Sequence, residues 1–63
     1  MKNEIRILIV DDDRIIRVAV KRILAKSGYN FIIDELSESS LLIDILKTKK
    51  FDCIIVDYFL TDI

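Results

Sequence analysis

The stretch from Ile5 to Val10, Ile-Arg-Ile-Leu-Ile-Val, constrains the fold of this chain more than any other. It is short, rich in β-branched residues and apolar at all positions but one, which is how a strand covered on both faces of a parallel sheet reads. It stops at Asp11, Asp12 and Asp13. A second run of the same character, Phe51 to Val56, ends at Asp57. Between the two the hydrophobic period changes. Ile16, Ala19, Val20, Ile23 and Leu24 recur at the spacing of one helical stripe, and Leu41, Leu42, Ile45 and Leu46 form another. Asp13 is placed to cap the first helix, and Gly28 stands just past its end. Ser37 to Ser40 offer hydroxyls ahead of the second helix, and Lys47, Lys49 and Lys50 follow it with the sign that suits a helix C-terminus. Phe31 to Ile33 read as a more exposed strand.

The element order is therefore βαβαβ, an α/β chain with a parallel sheet. Right-handed crossovers restrict the topology. The two most apolar strands, first and third, are expected side by side and the second at an edge, which gives the spatial order 2-1-3 with one helix on each face. With 63 residues, this is at most one small domain, near the lower limit of independent stability. The single Cys and the absence of His rule out an internal disulfide, a Cys/His zinc site and Ser-His or Cys-His catalysis within the chain. Ten basic and eleven acidic residues leave a net charge of −1, no basis for general attraction to nucleic acid or to an anionic membrane. No apolar run is long enough to span a bilayer, and the N-terminus lacks the pattern of a signal peptide, so a cytoplasmic location is expected.

In such a sheet all strand C-termini share one edge, and ligands bind where the connections diverge to opposite faces. In order 2-1-3 that point lies between strands one and three. Asp11 and Asp12 end one of them and Asp57 the other, so three carboxylates from distant parts of the sequence are expected within a few ångströms. Like charges gathered this closely favour a bound cation. A donor set of oxygens alone selects a hard one, Mg²⁺, or Mn²⁺ in its place. An aspartate beside such an ion can itself accept a phosphoryl group. Asp after a strand is often only a turn former or a helix cap, and that reading is preferred for Asp13; the conjunction of Asp11, Asp12 and Asp57 is what points to chemistry.

These motifs carry a resemblance. Ile7 to Asp13 followed by Arg17 resembles the opening of a response-regulator receiver domain, the CheY-like module of two-component signalling, and Phe51 to Leu60 resembles its phosphoacceptor strand. The resemblance covers residues 1–63, read as one domain, and implies a partial flavodoxin-like fold. It implies that Asp57 is phosphorylated by a histidine kinase or phosphotransfer domain. It also implies that Asp11, Asp12 and Asp57, with the backbone carbonyl of Phe59, hold Mg²⁺. The family's five-stranded sheet is roughly twice as long as this chain, within the usual domain size. Its Ser/Thr switch residue and its Lys come from strands four and five, without counterparts here, so the chain reads as the first half of a truncated receiver domain with impaired chemistry. Thr61 stands where the family usually has Pro, and Ser39 replaces a frequent Gly.

Two other readings compete. Asp11-x-Asp13 after a buried strand mimics the nucleophile and acid of a haloacid-dehalogenase-like phosphatase, although a helix starts here where that family inserts a flap. A receiver-like interaction or dimerisation module that is never phosphorylated is the other. The third strand, nearly free of charge, would be an edge, and self-association is expected from it. The basic residues of the first helix, Arg14, Arg17, Lys21, Arg22 and Lys26, read as a solvated face, and Cys53 as a small buried hydrophobe.

Overall fold

The structure, a computed structural model, describes residues 4–57. Strand β1 (Glu4–Val10) leads into helix α1 (Arg14–Ala25), strand β2 (Asn30–Leu36), a single 3₁₀ turn (Ser39–Leu41), helix α2 (Leu42–Thr48) and strand β3 (Cys53–Val56). The three strands form one sheet in the order β2-β1-β3, and both pairings are parallel. The expected α/β architecture and strand order are those observed.

The core lies in β1. Ile7, Leu8, Ile9 and Val10 are the buried apolar residues among those described, since only the central strand has neighbours along both edges. The register pairs Leu8 with Asp34 on one side and with Ile54 on the other, and Ile9 with Glu35 and Ile55. Successive side chains in a strand alternate between faces, so Asp34 and Glu35 mark opposite faces of the sheet. Arg17 and Lys21 of α1 reach Glu35, whereas Lys49, at the end of α2, reaches Asp34. The two helices thus serve opposite faces, as right-handed crossovers require when the chain steps first to one side of β1 and then to the other.

Local signals account for most of the boundaries. The Asp13 carboxylate accepts from the Ile15 amide at 2.9 Å and caps α1. Gly28 has φ +86°, a left-handed conformation that glycine adopts without strain and that turns the chain from α1 toward β2. The expected serine cap of α2 is not formed. A 3₁₀ turn precedes that helix instead, with no side-chain cap at either start, and Ser39, the first residue of the turn, is buried.

Three packing details differ from the sequence reading. In α1 the half-buried positions are Arg17, Val18, Val20, Lys21 and Leu24, while Ile16, Ala19 and Ile23 of the expected stripe are exposed, Ile23 at 68%. The helix packs against β2, whose Glu35 draws the basic side chains Arg17 and Lys21 inward and turns the isoleucines away. Strand β3 is four residues long; Phe51 and Asp52 precede it, and Asp52 instead bonds the start of β1, its amide donating to the Arg6 carbonyl and its carboxylate accepting from the Arg6 amide, both at 2.8 Å. Cys53 is exposed rather than buried, at the start of a strand that is an edge among the described residues.

Candidate functional site

At the C-terminal edge of the sheet the backbone ladder runs one residue past each strand. The Asp11 amide donates to the Leu36 carbonyl at 3.0 Å, and the Asp57 amide donates to the Val10 carbonyl at 2.9 Å. Continuing the β1–β3 register by one step sets Asp11 beside Asp57. Strand pairing, not loop conformation, therefore fixes two of the acids. One carboxylate oxygen from each of Asp11, Asp12 and Asp57 lies within 4.8 Å of the other two.

The three acids differ in environment. Asp11 is 7% exposed, Asp57 is half-buried and Asp12 is exposed. The Asp11 carboxylate accepts from the Asp13 amide at 2.8 Å, an Asx turn that closes the short β1–α1 connection and holds the carboxylate in place. The site thus has a buried wall, Asp11, and an open side, Asp12. Asp13 is not part of the cluster: its carboxylate is committed to the α1 cap. The arrangement departs from the phosphatase reading, in which Asp11 and Asp13 would work as a pair.

The donor set fits a hard cation. Around an octahedral Mg²⁺ with bonds of about 2 Å, adjacent ligand oxygens stand about 3 Å apart, so oxygens spread over as much as 4.8 Å would close by up to about 2 Å to share one ion. Its oxygens come from three residues, which leaves further coordination positions for water or a phosphoryl oxygen. Phe59, whose backbone carbonyl is the further expected ligand, lies outside the described residues, as do Tyr58 and Thr61.

Arg17 belongs to the surroundings of this site, although the sequence reading placed it on a solvated face. Its Nη1 donates to the Asp11 backbone carbonyl at 2.6 Å and its Nε to Glu35 Oε1 at 2.9 Å. Lys21 donates to the other oxygen, Glu35 Oε2, at 2.8 Å. The signal that could have revealed this was an acid on the second strand facing a helix whose inward positions include two basic residues. The remaining basic residues of α1, Arg14 and Arg22, are exposed, as is Lys26 at its C-cap. No helix among the described residues is long and apolar enough to cross a membrane.

The family model for the response regulator receiver domain matches residues 7–63, from the second half of β1 to the last residue of the sequence. Neither the curated proteins nor the solved structures yield a match. The matched span contains the C-terminal ends of both strands that carry the acids, the helix that follows the first of them, and all three members of the cluster. By that match, and by a parallel sheet of order 2-1-3, the chain belongs to the response regulator receiver domain family, a signalling domain of two-component systems rather than a classical enzyme.

Proposed function

We propose that the chain receives a phosphoryl group on Asp57 from a phosphohistidine of a histidine kinase or phosphotransfer protein, with Mg²⁺ held by Asp11, Asp12, Asp57 and the Phe59 carbonyl. The observation that carries the reading is the meeting of three carboxylates from two adjacent strand ends at the edge where α/β sheets bind ligands. When bound, the ion would offset the negative charge shared by the phosphoryl oxygens and the carboxylates. An Asp57 carboxylate oxygen attacks phosphorus in line, the phosphorus–nitrogen bond of the donor breaks, and its electron pair leaves with the imidazole nitrogen. Asp11, held by the Asp13 amide, and Asp12, on the open side, define where the phosphoryl group can approach.

The chain's own association is a further part of the reading. Among the described residues nothing pairs with the outer edge of β3, and Ile54 and Val56 on it are exposed, a combination that favours strand-to-strand contact between copies.

Incubation with phosphoramidate and Mg²⁺, followed by borohydride reduction and peptide mass analysis, tests phosphoryl acceptance. A homoserine at position 57 that is lost in Asp57→Asn and in chelator is the expected result. Phosphoryl incorporation of equal extent in Asp57→Asn, or none at all in the parent chain under conditions where Mg²⁺ saturates, would overturn it.

A further inference from the structure

We infer that Arg17 is a positioning residue for the acidic site, and that Glu35 and Lys21 hold it in that role; the inference rests on the reading of Asp11, Asp12 and Asp57 as a Mg²⁺ site. Arg17 side-chain atoms are 14% exposed, so the guanidinium is confined rather than free in solvent. It bridges two elements at once: Nη1 to the Asp11 carbonyl at the end of β1, Nε to Glu35 of β2. Lys21, one helical turn further along α1, fixes the second oxygen of the same carboxylate. The result is a continuous chain of charged hydrogen bonds from Lys21 through Glu35 and Arg17 to the peptide that joins Asp11 to Asp12.

That peptide is where orientation matters. The Asp11 carboxylate is already aimed by the Asp13 amide. The Asp12 carboxylate accepts no hydrogen bond among the described residues and is exposed, so the backbone is what directs it. Anchoring the Asp11 carbonyl sets the plane of the Asp11–Asp12 peptide, and with it the direction in which Asp12 leaves the chain. Metal ligands are commonly held by such outer partners, and removing one typically weakens metal binding about 10- to 100-fold. A guanidinium suits the task because it presents donors on two edges in a fixed plane; an ammonium on a flexible stem makes one point contact at a time.

A purely structural ion pair would lower stability and leave the affinity of folded molecules unchanged. Mg²⁺ titration followed by backbone amide shifts reads only the folded protein and separates the two. Arg17→Gln is expected to weaken Mg²⁺ binding about 10-fold or more; Arg17→Lys is expected to restore little of it. Glu35→Gln is expected to weaken binding less, and to add nothing in an Arg17→Gln background, since it acts through Arg17. In metal-free protein, Arg17→Gln should accelerate amide exchange at Asp12 and Asp13 beyond the change seen in β1. Should Arg17→Gln fail to fold, Arg17→Lys and Glu35→Gln carry the same comparison. Wild-type affinity in the folded Arg17 variants, or an additive Glu35→Gln effect, overturns the inference. Asp57→Asn is the control: if it leaves the Mg²⁺ response intact, the metal reading itself is lost and the inference falls with it, a different result from an Asp57-dependent response that Arg17 does not influence.

Discussion

Glu35 shows how one side chain ties the site to the rest of the fold. Its carboxyl is held below its ordinary value of 4.5, first by the hydrogen bond from Lys21; burial opposes this with the next largest effect, and the hydrogen bond from Arg17 and the charges of both cations add to the lowering. A carboxylate with a lowered folded value contributes stability above its unfolded value and loses it as pH falls through the folded one. The destabilisation caused by Glu35→Gln should therefore be present at about pH 7 and fall away as the pH drops through the lowered folded value. With this pair partly open to solvent, the effect at neutral pH should be below about 1 kcal/mol. Urea midpoints of both proteins across that range check it; a difference that grows on acidification would contradict the assignment. The three aspartates were legible in the sequence because each ends a strand, and strand order alone decides which ends meet. Arg17 was not, because its partner is recognised only once Glu35 is known to face α1, and strand alternation sends Asp34 the other way.

Among the elements, α1 has the most sharply defined start. Asp13 supplies its cap, and no acidic residue lies in its first turn to compensate for the loss of that carboxylate. Asp13→Ala should cost about 1 kcal/mol, read from the urea midpoint, while leaving the Mg²⁺-dependent amide shifts at Asp57 in place. A loss of those shifts with the fold intact would return Asp13 to the site. The existence, type and order of the strands and helices followed from hydrophobic period. The face of α1 did not, because helical period counts only apolar residues, and here two basic residues are drawn inward by an acid on β2. The 3₁₀ turn before α2 escaped for a related reason: Ser39 is buried in it, whereas a serine in sequence reads as a solvent-side cap. Strand β3 is shorter than its apolar run because Asp52 folds back onto the Arg6 backbone.

At the scale of the molecule, one strand carries the buried core while both of its neighbours are edges among the described residues. The 63-residue chain should accordingly associate as its concentration rises, and Ile54→Lys, which sets a charge on the exposed side of β3, should shift sedimentation toward the monomer. A compact monomer at every concentration would contradict this. The same sheet explains why the acids meet. Parallel pairing of β1 with β3 turns a long separation in sequence into adjacent ladder positions, and the Asp11–Asp13 turn aims the first carboxylate at the gap between them. Mg²⁺ titration of the chain, followed by backbone amide shifts, tests that arrangement most directly. The account predicts saturable shifts centred on Asp11, Asp12 and Asp57 that disappear in Asp12→Asn and in Asp57→Asn alike. Shifts that persist unchanged in either variant, or that spread evenly over the acidic residues of the surface, would contradict it.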